Sequence, residues 1–95
     1  MEFMMKIREA TVIQNIGFVI IGGNREITKE DTSKLCKTGQ DIIVKYNDED
    51  LVFKVADIKL SFSISEKVII GIRLEDSDSL GKIKAGDLVY KIRPE

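Results

Sequence analysis

Phe53-Lys54-Val55-Ala56-Asp57-Ile58-Lys59-Leu60-Ser61-Phe62-Ser63-Ile64 is the stretch on which the fold turns. Phe53 and Val55 place apolar side chains on odd positions, whereas Ile58, Leu60, Phe62 and Ile64 place them on even ones. Side chains of a strand alternate between its two faces, so a regular strand cannot change phase without turning its apolar face to water. One extra residue near Ala56-Asp57 reconciles the two halves. Such a β-bulge also bends the strand, and bends of this kind let a sheet curl into a barrel.

Outward from that stretch the chain reads as short β-branched runs divided by turn residues. Ile7–Gln14 predicts a first strand, and Asn15-Ile16-Gly17 a tight reversal, since Asn and Gly tolerate positive φ. Phe18–Ile21 follows, apolar on both faces, and Gly22-Gly23-Asn24 reads as the turn that ends it. Ile42–Tyr46 and Leu51–Val55 flank Asn47-Asp48-Glu49-Asp50, a hairpin with a four-residue polar loop. Ser65-Glu66-Lys67 turns the chain into Val68, Ile70, Ile72 and Leu74, which alternate again. After a polar loop from Glu75 to Lys82, Gly86-Asp87 admits Leu88–Ile92, and Pro94 stops that strand. The expectation is one all-β domain over residues 1–95: a small, closed, antiparallel β-barrel of about six or seven strands, without a long helix. Lys37-Thr38-Gly39-Gln40-Asp41 and Lys84-Ala85-Gly86-Asp87 both precede apolar strands, an echo read as repeated turn chemistry rather than a duplicated unit.

Two segments stand apart. Glu2-Phe3 is a dipeptide that a common cloning site encodes, so residues 1–3 are set aside as candidate vector sequence. Residues 24–38 hold only Ile27 and Leu35 as large apolar side chains and read as an inserted loop or a short helix, with Thr28 and Asp31 at the spacing of a cap.

The totals narrow the chemistry. Fifteen Lys and Arg stand against sixteen Asp and Glu, so the chain has none of the global positive excess that non-specific nucleic-acid binding draws on. Cys36 is the one cysteine, which rules out an internal disulfide and points to a reducing, cytoplasmic setting. No histidine is present, which removes the usual triad, His-ligated metals and the proton shuttle of neutral pH. Gly17 and Gly22 have the spacing of a phosphate loop, but Gly23-Asn24 stand where it needs Lys and Ser or Thr. Asp76-Ser77-Asp78-Ser79-Leu80-Gly81 begins like a calcium loop, but Leu80 replaces the oxygen donor at its fifth position, Asp87 replaces the bidentate Glu at its twelfth, and its flanks read as strands. No catalytic, cofactor-binding or metal-binding residue is assigned, and no enzyme activity, cofactor or membrane partner is expected.

Assembled in order, three stretches resemble the second, β-barrel domain of translational GTPases such as elongation factor Tu. Glu9–Gly22 resembles the opening hairpin of that domain, Lys37–Val44 its next strand entry, and Val68–Leu74 with Ile83–Val89 its closing strands. The resemblance implies a translation-factor-like barrel standing without the GTPase domain, and contact with RNA. The residues themselves point first to a binding or adaptor module with a protein partner. RNA or ribosome contact linked to translation is the alternative. The inserted segment is the expected binding loop, with Arg25, Lys29 and Lys34 as its cations, because contacts concentrate on loops held by a rigid scaffold.

Overall fold

The structure, a computed structural model, describes residues 2–24, 27, 35–46, 48–62 and 68–92. Six strands are defined: β1 (Glu2–Ile13), β2 (Gly17–Gly23), β3 (Asp41–Tyr46), β4 (Glu49–Phe62), β5 (Val68–Leu74) and β6 (Leu88–Lys91). They close in the order β1-β2-β5-β4-β3-β6, every neighbouring pair antiparallel. The expected closed antiparallel barrel is the observed one, with six strands. β3, β4 and β5 form a meander; β2 returns beside β5 and β6 beside β3, giving two Greek keys that share it. Among the described residues the only helical element is one 3-10 turn, Leu80–Lys82, and no helix is long and apolar enough to cross a membrane.

Closure rests on the two long strands. β1 pairs with β6 over its first half and with β2 over its second, and β4 divides itself in the same way between β3 and β5. The register shifts between Ile7 and Glu9 in β1, and between Val55 and Asp57 in β4, so Ala56 is the extra residue. The phase change between Val55 and Ile58 is therefore the bulge it predicts. Phe53 and Val55 are buried before it, and Ile58 and Leu60 pack against the core after it. A further shift between Phe3 and Met5 lets two consecutive residues, Met4 and Met5, both be fully buried.

The interior of so small a barrel is filled by side chains. Val68, Ile70, Ile72 and Leu74 supply one wall, every second residue of β5 being buried. Ile20, Ile42, Val44 and Val89 supply others, while Ile27, Leu35, Cys36 and Ile83 enter the same core from outside the strands.

Four sequence expectations need correction or a limit. β1 runs from Glu2 to Ile13 rather than from Ile7 to Gln14, and Glu2 and Phe3 pair with Lys91 and Tyr90. Gly22 and Gly23 do not turn the chain but lie within β2, paired on both sides. The β3–β4 loop is two residues rather than four, because Tyr46 pairs with Glu49 and Lys45 with Asp50, and Asp48 takes the positive φ of 67°. The Thr28–Asp31 cap, Ile64, the Ser65-Glu66-Lys67 turn and Pro94 lie outside the described residues.

The echo between the two glycine turns is wider than turn chemistry. At the first, the Gln40 amide donates to the Lys37 carbonyl (3.0 Å) and the Lys37 amide to Gln40 Oε1 (2.8 Å), with Gly39 at φ 88°. At the second, the Asp87 amide donates to the Lys84 carbonyl (3.2 Å) and the Lys84 amide to Asp87 Oδ2 (3.0 Å), with Gly86 at φ 97°. Gly39 and Gln40 exchange backbone bonds with Val55, and Gly86 and Asp87 with Ile7, each at the residue just before a bulge. Strand registers follow the same correspondence. Ile7 pairs with Gly22 as Val55 pairs with Leu74, and Glu9 with Ile21 as Asp57 with Arg73. Ile42 pairs with Phe53 as Val89 pairs with Met5. Applied to the whole ring, this mapping sends the pairs Ile20–Ile72 and Ile43–Tyr90 onto themselves. β1-β2-β3 and β4-β5-β6 are thus related by an internal two-fold axis across the barrel. It enters between two buried isoleucines and leaves between Ile43 and Tyr90.

Gly22 is where a side chain has no room: its Cβ would run into the Lys6 carbonyl oxygen, with Met5 Sδ at 3.2 Å. Gly22→Ala is expected to cost about 3 kcal/mol or more, against under ~1 kcal/mol for Gly71→Ala, whose nearest obstacle is 3.8 Å away; urea unfolding of both variants measures the difference. Asp87 is buried and its carboxylate closes its turn, whereas Gln40 does so at a partly open site. Asp87→Ala should therefore cost ~1–2 kcal/mol and Gln40→Ala about half as much, read from the same denaturation curves.

Candidate functional site

Alternation along β3 sends Ile42 and Val44 inward and Asp41, Ile43 and Lys45 outward. On β4, Asp50, Val52 and Lys54 face out, and on β6 and just past it, Leu88, Tyr90 and Ile92. Cross-strand pairing sets these residues in rows. Val52 lies opposite Ile43, Ile43 opposite Tyr90, and Tyr90 opposite Phe3, so an apolar row crosses four strands. Val52 is 56% exposed and Phe3 38%. The Phe3 and Tyr90 rings meet edge to face, their centroids 5.8 Å apart.

Charged residues border this row on both sides. Asp41 lies opposite Lys54 above it, and Lys45 opposite Asp50 below it, with Lys6 opposite Leu88. Lys45 Nζ is 3.0 Å from Asp50 Oδ1 and also lies 5.7 Å from the centre of the Tyr90 ring. Both partners of that ion pair are well exposed, so its energy is at most ~1 kcal/mol and it can be re-formed with other partners.

A second exposed apolar group sits at the β1–β2 hairpin, where Val12 is 73% exposed and Ile13 and Ile16 are also open. Asn15 takes φ 67° and Gly17 φ 124°, and the Ile16 amide closes the turn onto the Ile13 carbonyl (3.1 Å), so the expected reversal forms here. The paired residues of this tip, Val12 with Phe18 and Ile13 with Gly17, are uncharged on both strands.

Arg25, Lys29 and Lys34, the cations of the expected binding loop, lie outside the described residues. Of the described residues of that segment, Lys37 and Thr38 are exposed and the others turn toward the barrel. Asn24 donates from its side chain to the Met4 carbonyl (2.9 Å), and Ile27, Leu35 and Cys36 are buried. Burial pushes the Cys36 thiol up to about 11, so it is neutral at physiological pH. Among the described residues no three metal-ligating side chains come together.

The outward face went unremarked in the sequence because its members are ordinary one by one. The signal was present at alternate positions: Asp41, Ile43, Lys45 and Asp50, Val52, Lys54 each set an apolar residue between opposite charges.

No family model, curated protein or solved structure matches the chain. The geometry must therefore carry the functional argument.

A thiol this buried and this weakly acidic should resist alkylation. At pH 8, Cys36 in the folded protein is expected to react with a maleimide at least ~100-fold more slowly than in denaturant, the thiolate being the reactive form; mass spectrometry along a time course measures the ratio.

Proposed function

We infer that this barrel is a non-catalytic protein-binding module and that the outward face of β3 and β6 is the surface it uses. One observation carries the reading: the apolar row of Val52, Ile43, Tyr90 and Phe3 lies between charges of both signs. Protein interfaces combine an apolar, aromatic-rich centre with a polar rim, and Tyr is prominent among the residues that dominate binding energy. The absence of an imidazole and the neutral state of the only thiol support a role without chemistry of its own. A cytoplasmic setting belongs to the same reading, since it keeps a lone cysteine reduced.

RNA contact is the second reading. It draws on the resemblance to the barrel of translational GTPases and on two cation–aromatic pairs, Lys45 over Tyr90 (5.7 Å) and Lys84 over Tyr46 (5.6 Å), which suit base stacking. Asp41 and Asp50 weigh against it, because they interrupt the basic stripe that a phosphate backbone needs.

The test is recovery of partners on tagged protein from a cell lysate, with and without ribonuclease. A protein retained after nuclease treatment, and reduced about tenfold by Val52→Asp but not by Val12→Asp, is the expected result. Material that disappears with the nuclease would replace the protein reading with the RNA one.

A further inference from the structure

We propose that the partner seated on this face is a second copy of the chain, joined by a two-fold axis that runs along the apolar row, perpendicular to the strands. The proposal rests on the protein-binding reading of the same face and adds to it the identity of the partner.

The argument is charge complementarity. On β3 the residue two places before Ile43 is Asp41 and the one two places after is Lys45. On β4 the order around Val52 is Asp50 and Lys54. Around Tyr90 it is Leu88 and Ile92, both exposed and both apolar. A two-fold axis along the row exchanges the positions above it with those below. Asp41 of one copy then meets Lys45 of the other, Asp50 meets Lys54, and Leu88 meets Ile92. Val52, Ile43, Tyr90 and Phe3 meet their own counterparts in a continuous apolar seam. Rotation about an axis parallel to the strands does worse: it brings Asp50 against Lys6 but sets Asp41 against Ile92 and Lys45 against Leu88, leaving two charges facing apolar side chains. An isologous interface needs a surface complementary to itself, and this one is so along a single axis.

β3 and β6, the centre of this face, are each paired on both sides, so association here must run face to face through side chains rather than by adding a strand. The Lys45–Asp50 pair can exchange partners across the seam, since both groups already sit in water. Curvature limits the contact. Only about four strands at ~4.8 Å spacing approach the partner, which places the interface at the small end of specific complexes and the dissociation constant in the micromolar range.

Sedimentation equilibrium across low micromolar to millimolar protein tests this. The wild type is expected to move from monomer to dimer, and Val52→Asp to raise the dissociation constant about tenfold, with Val12→Asp unchanged. Two charge variants make the test specific to the axis. Asp41→Lys and Lys45→Asp should each be monomeric alone, one presenting like positive and the other like negative charges to itself. Mixed together they should form a heterodimer, because the opposed charges again differ. All these positions are on the surface, so circular dichroism should report an unchanged fold. A wild type that stays monomeric overturns the proposal, as does a dimer indifferent to Val52→Asp or a mixture of the charge variants that does not associate. If the chain is monomeric and Val52→Asp still removes a different captured protein, the identity of the partner fails and the protein-binding reading stands. If Val52→Asp removes nothing, both fail.

Discussion

Closing six strands into a ring requires every strand to find a neighbour on each side, and β1 and β4 meet theirs at different heights. The first half of each belongs to one neighbour and the second half to another. A straight strand cannot make that exchange. The bulges after Ile7 and Val55 bend the strands where the exchange occurs, and the two glycine turns dock there with a pair of backbone bonds each. A bulge leaves local donors and acceptors out of the ladder, and an unpaired backbone group in a buried place costs as much as a lost hydrogen bond. Gly39 and Gly86 adopt a φ that L side chains rarely reach, which lets the turns present an amide and a carbonyl to these two points. Core alternation, closure and the outward rows all follow from these joints.

Much of this was legible in the residues. The jump in apolar phase between Val55 and Ile58 marked one bulge, and Val68 to Leu74 read as a half-buried strand because every second residue was large and apolar. Glycine was where the reading slipped. Gly22-Gly23 has the composition of a turn, yet Gly22 is needed for the close approach of β2 to the Lys6 backbone, a tertiary demand that no local pattern displays. The second bulge, after Ile7, left no phase signal, because Arg8, Glu9, Ala10 and Thr11 include no large apolar residue to be displaced. The candidate site was harder still. Its row takes one residue from each of four strands, and their adjacency depends on register between residues as far apart in the chain as Phe3 and Tyr90.

The outward face and the internal axis share a centre. The axis leaves the barrel between Ile43 and Tyr90, the middle of the apolar row, so the most conspicuous surface of the molecule lies across the seam between its two halves. The strands that the axis exchanges, β3 with β6 and β4 with β1, differ in what they contribute there. β3 and β4 bring alternating charges, whereas β6 and β1 bring the aromatic pair and exposed aliphatic residues. The backbone frame is repeated while the side chains on it have diverged, so the face has direction.

The way the halves interlock also bears on how the chain folds. β3 pairs only with β4 and β6, both from the other half, and β6 pairs only with β3 and β1. Each three-strand half therefore gives its last strand to its partner and keeps only one hairpin of its own. Neither half can complete a core alone. The β2–β5, β1–β6 and β3–β6 pairings each close a long loop, and pairings of that kind slow folding. During synthesis, the β1–β2 hairpin would wait with β1 lacking its second neighbour until β6, four strands further along the chain, emerged to close the ring.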